Sequence, residues 1–350
     1  MSGITNIIQR PCLVVDVLNQ IAPHYSRKSN FSSWAANARK NIKNVSEVAR
    51  KRNLQPIYVV DAALKREVET KWMKRREREV RKGEKGMLFD GDIAVSELLL
   101  EQNQLVIADL HHNADDVVAS WALFSSKESI VLSADKDYFR YGEGELIGRV
   151  YCLDKSHRDI EMVQHKKKVS ESKKLPFTMN YKSSFVNHAS EFLVNKLYTA
   201  GSFRGTEYSN LFLRGATRPD AELNGKGSLH LAARPYRRRL YSHPVFEIFP
   251  YWNGTSVCWV NEFVDPLSTA SLPDKTMKEF DPVRIAIDLM RSVGGKYNKQ
   301  HEETIFLYAC ELTAHSKKRS SILTEYYRHV KRWKKVNQIS EMKASTTNLF

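Results

Sequence analysis

Four short apolar runs, each closed or soon followed by aspartate, recur along the first 140 residues with helical stretches between them. Pro11-Cys12-Leu13-Val14-Val15-Asp16-Val17 is rich in β-formers and carries its acid at the end. Gln55-Pro56-Ile57-Tyr58-Val59-Val60-Asp61 and Leu105-Val106-Ile107-Ala108-Asp109 repeat the pattern. Ser129-Ile130-Val131-Leu132-Ser133 runs on into Ala134-Asp135-Lys136-Asp137, and residues 147–153 read as a fifth strand. Between them, residues 32–52 place Trp34, Ala38, Ile42, Val45 and Val48 at helical spacing, and residues 65–82, 93–101 and 115–124 continue the alternation. Strands separated by helices pair in parallel, with both faces of the sheet covered. The predicted class is α/β, a mostly parallel central sheet flanked by helices.

In such sheets the site forms outside the carboxyl ends of the strands, where these acids fall. Asp16 ends the first strand and Asp61 the second. Asp115 and Asp116 open the helix after the third, and Asp135 and Asp137 follow the fourth. Six carboxylates in one cleft repel strongly unless something offsets the charge. Hard divalent cations, Mg²⁺ or Mn²⁺, supply that offset, and two of them can activate water and stabilise the leaving oxygen in phosphodiester cleavage. A single strand-end Asp is more often a helix cap; acids at four strand ends are a more specific signal.

Charge points the same way. The chain of 350 residues has a formal net charge of +15. Residues 1–150 carry 23 basic and 20 acidic side chains, whereas the remaining 200 carry 32 and 20. A balanced first half joined to a basic second half predicts a polyanionic partner, most simply nucleic acid, DNA or RNA. A hydrophobic content of 42% supports a packed core. No apolar run approaches the ~18–20 residues of a membrane span, and no secretory leader is evident, so no membrane association is expected. Cys12, Cys152, Cys258 and Cys310 are widely separated, without CxxC or Cys/His metal spacing. They read as reduced thiols of an intracellular chain, nuclear or cytoplasmic, with no structural zinc.

Composition divides the chain into a first domain (residues 1–153), a Lys-rich linker (154–186), a basic C-terminal domain (187–338) and a tail (339–350). The C-terminal domain is predicted to be largely helical, near residues 185–198, 281–293 and 321–336. Asn253-Gly254, between residues 245–251 and 255–263, signals a β-hairpin. Arg237, Arg238 and Arg239, and Lys317, Lys318 and Arg319, are candidates for tracking phosphates, with Tyr236, Tyr241 and Trp333 as stacking surfaces. Solvated charged faces are the alternative for both runs. His111 and His112 are candidate phosphate or metal contacts, with ordinary loop histidines before a helix the favoured reading.

Asn113-Ala114-Asp115-Asp116-Val117-Val118, followed by Ser133-Ala134-Asp135-Lys136-Asp137, resembles the paired acidic motifs of the flap-endonuclease/XPG superfamily of 5′-nucleases, within the wider PIN-like fold. Asp16 matches that superfamily's first-strand Asp. Val59-Val60-Asp61 and the Lys/Arg-rich segment after it resemble its second acidic motif and basic gateway helix. The resemblance covers roughly residues 10–150. The basic, hairpin-containing second half is similar, more loosely, to the asteroid and coactivator-like branch.

The resemblance implies a PIN-like/FEN-like domain in which Asp16, Asp61, Asp115, Asp116, Asp135 and Asp137 hold Mg²⁺ or Mn²⁺, two ions in all. Lys65, Arg66, Lys74 and Arg75 would contact the scissile phosphate, a role cations suit on chemical grounds too. A solvated charged helix face explains those four equally well. Two features depart from the family. Asn113 stands where the family has a Glu ligand, and no Gly-rich duplex-binding hairpin follows Asp137. The expected function is a metal-dependent nuclease; the alternative is an inactive nuclease-derived scaffold that binds nucleic acid or protein partners. No Walker loop, GxGxxG, GxSxG or HExxH occurs, which removes nucleotide-driven, dinucleotide, esterase and zinc-protease readings.

Overall fold

The computed structural model describes residues 10–22, 31–61, 91–109, 112–164, 185–186, 229–240, 245–252, 257–265, 280–293, 299–317 and 320–347. The chain divides into two units, the first holding most of residues 1–192 and the second mainly residues 193–350.

The first unit is built on a seven-stranded sheet. Its strands are β1 (Cys12–Asp16), β2 (Gln55–Asp61), β3 (Val106–Asp109), β4 (Ile130–Leu132), β5 (Val150–Leu153), β6 (Ile160–Met162) and β7 (Phe185–Val186), in the order β6-β5-β4-β1-β2-β3-β7. The five central strands are parallel, and both edge strands run antiparallel. The α/β, mostly parallel expectation therefore holds. β1 sits in the middle with Cys12, Leu13, Val14 and Val15 wholly buried, which is why it reads as an unbroken apolar run.

Among the described residues four α-helices accompany the sheet: α1 (Val17–Gln20), α2 (Phe31–Lys51), α3 (Gly91–Glu101) and α4 (Ala114–Ser125). In α2, Phe31, Trp34, Ala35, Ala38, Ile42, Val45, Val48 and Ala49 are buried, one face at helical spacing, with Phe31 stacked on Trp34. Helices α2 and α3 end alike. Asn53 and Asn103 take the left-handed conformation (φ 56° and 54°), and the next residue's N–H reaches back five residues, Leu54 to Ala49 and Gln104 to Leu99. Asn tolerates that conformation better than a branched residue, so each helix stops cleanly and aims the chain into β2 or β3. At the end of α4 the Arg149 guanidinium donates to the carbonyls of Ser126 and Ala122, and its Nε donates to that of Ser129. That cation sits at the negative end of the helix and ties β5 to it.

Residues 154–186, expected as a linker, begin and end in the sheet. β6 extends the β5 edge, and Phe185-Val186, expected to open a helix, instead pairs with β3. Two β-formers beside an unpaired strand edge gain ladder hydrogen bonds there, which outweighs a local helical pattern.

The second unit holds α5 (Leu229–Ala232), α6 (Arg234–Leu240), the strands β8 (Val245–Trp252) and β9 (Val257–Val264), α7 (Pro282–Val293), α8 (Lys299–Ser316) and α9 (Ile322–Thr347). β8 and β9 pair antiparallel in the expected hairpin. α7 starts with Pro282, whose missing N–H costs nothing there, behind Asp281, whose carboxylate accepts the Val283 N–H. α8 shows no one-sided apolar pattern because residues 304–314 are buried without interruption. Phe306 of α8 stacks on Trp333 of α9 at 5.0 Å and 4°. α9 continues through most of the expected tail, to Thr347.

Candidate functional site at the carboxyl ends of the strands

The chain runs outward from β1 through β2 to β3, then crosses back to lay β4 on the other side of β1. Loops leaving β1 and β4 therefore diverge and leave a crevice at their carboxyl ends. Asp16 stands at that point. It caps α1, Oδ1 accepting the Asn19 N–H at 3.3 Å, and Oδ2 accepts from Ser133 Oγ at 2.9 Å and from the Tyr138 hydroxyl at 3.2 Å. The crevice is tied across by amides. Asn19 Oδ1 accepts the Ala134 N–H at 2.9 Å, and Gln20 Oε1 accepts that of Leu153 at 3.0 Å.

Asp115 and Asp116 lie in the first turn of α4, where the positive end of the helix favours them. Asp115 Oδ1 is 3.3 Å from the same Tyr138 hydroxyl that meets Asp16. Asp116 Oδ1 accepts from Tyr141 at 2.5 Å. Asn113 is the N-cap of α4 yet makes no side-chain cap bond. Asp135 caps the short 3₁₀ turn Lys136–Arg140 through the Asp137 N–H at 2.9 Å, and that turn carries Tyr138 into the core. Tyr138 and Tyr141 are both buried, so each phenol is fixed against its carboxylate.

The electrostatics follow from this geometry. Burial, and then the Asp115 charge, push the Asp16 carboxyl up to about 7, against the opposing hydrogen bonds from Ser133, Asn19 and Tyr138. Burial and the charges of Asp16 and Asp115 hold the Tyr138 phenol well above its ordinary value. The Tyr141 phenol is raised too, first by burial and then by its bond to Asp116, with Asp115 and Asp137 adding to the effect. Both phenols thus stay protonated donors. On the β2–β3 side, Asp61 stands in register with Asp109. Asp109 accepts the His112 N–H at 2.7 Å and lies 3.1 Å from its Nδ1.

Of the six expected ligands, Asp16 and Asp115 meet at one phenol, Asp116 is held beside them by the next tyrosine, and Asp137 is near enough to act on it. Asp135 is turned into its own cap, and Asp61 neighbours Asp109. Among the described residues no group of three His, Cys, Asp or Glu side chains stands at the spacing that encloses a metal ion. The pair Asp16 and Asp115 nevertheless offers oxygen donors of the kind a hard cation takes. Mg²⁺ commonly takes only one or two carboxylates and completes its shell with water and phosphate. Tyr138, Tyr141 and Ser133 are site residues that acid-counting overlooks. The tyrosines follow Asp135 by three and six residues, the spacing of one face of a 3₁₀ turn, and that was the readable signal.

The basic candidates fare differently. Lys65, Arg66, Lys74, Arg75, Lys318 and Arg319, with His111 and Tyr241, lie outside the described residues. Arg237 is 0% exposed, so it cannot track phosphates on a surface: the helical turn of α6 points it inward beside Leu240. Arg238 Nε donates to the Asp265 carbonyl at 2.8 Å, and Lys317 pairs with Glu325 at 2.8 Å. Trp333, expected as a stacking surface, is 4% exposed against Phe306. Among the described residues no helix is long and apolar enough to cross a membrane. No protein-family model and no curated protein matches the chain, whose α/β class therefore stands on its own strand order and helices.

Proposed function

We propose that this chain is a metal-dependent nuclease with a PIN-like first unit, hydrolysing phosphodiester bonds of DNA or RNA at the crevice beside Asp16. The observation that carries the reading is the meeting of Asp16 and Asp115 on one buried hydroxyl, where burial and the Asp115 charge raise the Asp16 carboxyl to about 7. A carboxyl raised to about 7 at the switch point of an open α/β sheet marks a candidate site. Mg²⁺ or Mn²⁺ held by Asp16 and Asp115, with Asp116 and Asp137 around them, would supply the positive charge that a phosphodiester transition state needs.

The chain's own residues prepare that place. Ser133 and the Asn19 N–H orient the two oxygens of Asp16, and Tyr138 spaces Asp16 from Asp115. Tyr141 holds Asp116 in one rotamer, so the helix start presents its acids without rearrangement. In the metal-free protein, a proton retained on Asp16 near neutrality relieves part of the repulsion with Asp115.

A second reading, a nuclease-derived scaffold that binds without cutting, is favoured by a different observation. Two protein phenols already engage three of the acids, Tyr138 shared by Asp16 and Asp115 and Tyr141 donating to Asp116, and Asn113 brings an amide where the resembled family has an acid. Cleavage of end-labelled single-stranded, duplex and flapped DNA and RNA in Mn²⁺, Mg²⁺ or EDTA separates the two. The nuclease reading expects metal-dependent cutting that falls by roughly 100-fold or more in Asp16→Ala/Asp115→Ala. Cutting at the parental rate in that variant sinks the assignment of the site. Binding without cutting under every condition selects the scaffold.

A further inference from the structure

The third arginine of the 237–239 run goes somewhere the strand-end acids do not use. Residues of α5, α6 and α7 border an open cavity of about 290 Å³, lined by Pro235, Tyr236, Arg239, Arg284, Asp288 and Leu289 among others. Two guanidinium groups face one carboxylate. That carboxylate is already engaged: Asp288 accepts from the Tyr236 hydroxyl at 3.3 Å and lies 3.7 Å from Arg291. Counted over the lining residues, two guanidiniums stand against one carboxylate, a formal excess of positive charge. Burial and Asp288 raise the Tyr236 phenol, and Arg239 and Arg284 pull it the other way, so both guanidiniums act at the cavity itself.

Paired guanidiniums suit phosphate, because their planar forks match its oxygens. The volume is more than a bare phosphate needs and sits near the lower bound of small-molecule sites. Pro235, Leu289 and the Tyr236 ring supply apolar lining, which suits the face of a planar ring. We propose that this cavity binds a single nucleotide unit, its phosphate at Arg239 and Arg284 and its base on the apolar wall. The unit can be a free mononucleotide or the phosphorylated end of a strand; the chemistry is shared. The site belongs to the second unit alone and stands whether or not the strand-end acids cut.

Calorimetric titration of the full chain with adenosine 5′-monophosphate, adenosine, inorganic phosphate and a short oligoadenylate with or without its 5′-phosphate tests it. The monophosphate is expected to bind at least about tenfold more tightly than adenosine or inorganic phosphate, because both halves of the site are then used. Arg284 is exposed, so Arg284→Gln should keep the fold and weaken the monophosphate by about tenfold. Asp288→Asn, which removes the one acid among the lining residues, should tighten it, an effect that mere packing damage does not produce. Oligomer binding that needs the 5′-phosphate and exceeds that of the monophosphate identifies a strand end as the source. Equal binding identifies the free nucleotide. Monophosphate and inorganic phosphate binding alike, Arg284→Gln binding as the parent does, or no binding at all overturns the proposal.

Discussion

Asp16 in the sheet unit and Glu325 in the helical unit are both acids withdrawn from water, yet they end with opposite acidities. Glu325 has no exposed side-chain surface, and burial alone would raise it. Lys317 at 2.8 Å, Ser320 at 2.5 Å and Arg328 at 2.9 Å outweigh that burial and hold it below its ordinary value. Asp16 also has donors, but they are hydroxyls and an amide, and its charged neighbour is another acid. At Asp16 the neutral donors do not offset burial and the Asp115 charge, whereas at Glu325 the bonds from Lys317 and Ser320, with the positive charges of Lys317 and Arg328, do. Glu325 therefore works as a staple between the start of α9 and the turn before it. Asp16 instead faces the charge of Asp115, which with burial favours its protonated form.

The largest expected effect breaks that contrast at Asp16. The rise of its carboxyl from 3.8 to about 7 corresponds to on the order of 4 kcal/mol of penalty on the charged form. Because the folded value lies above the unfolded one, the contribution is fully present below pH ~4 and is lost as pH rises to about 7. Asp16→Asn keeps the cap oxygen and removes the charge. In EDTA it should gain roughly 2–3 kcal/mol at pH 8 and little at pH 4 in urea unfolding. A loss at pH 8 would show that Asp16 is compensated after all.

The reciprocal change, Glu325→Gln, should cost roughly 2 kcal/mol at pH 7, since it strips the balancing charge from Lys317 and Arg328. Its folded value is depressed, so this stability is present above the ordinary value of 4.5 and is lost as pH falls through the lower folded one. An unchanged urea midpoint would remove the staple role.

Tyr138→Phe sharpens the comparison from the donor side. It takes away the one hydroxyl shared by Asp16 and Asp115 and should cost about 1.5 kcal/mol while leaving a small void. Tyr141→Phe should behave alike, and a much smaller loss in both would mean that the phenols are not needed to hold the acids. The smallest effect is expected where the charges are exposed. Arg39→Ala, which breaks the surface pair with Glu101 at 3.2 Å, should move stability by less than ~0.5 kcal/mol. A larger loss there would show that exposure is a poor guide to which ion pairs matter in this chain.

Much of this was legible in the residues. Central strands of a covered sheet need apolar side chains on both faces, so β1, β2 and β3 announce themselves, and so does α2 with its single buried face. The edge strands did not, because β6 and β7 are two or three residues long and are strands only through the neighbour they pair with. α8 went unread for the opposite reason: buried on every side, it has no amphipathic period. The strand-end acids were visible as a set, but which of them meet was not. Asp16 and Asp115 are brought together by a hydroxyl 122 residues from one and 23 from the other. The arginine run misled in the same way. Three adjacent cations look like one patch in a line of text, whereas a helix sends successive side chains about 100° apart, to the core, a carbonyl and a cavity.

What the residues determined by themselves was local: where chain must be apolar, where a left-handed Asn can stop a helix, and that acids follow each strand. Those depend on contacts within a few residues and on solvation averaged over a segment. Strand order, the partner of each acid and the fate of each arginine were decided only by tertiary structure. Burial and charge compensation depend on groups that are distant in the chain, and the same aspartate is a cap, a salt-bridge partner or an uncompensated site according to what the fold sets against it.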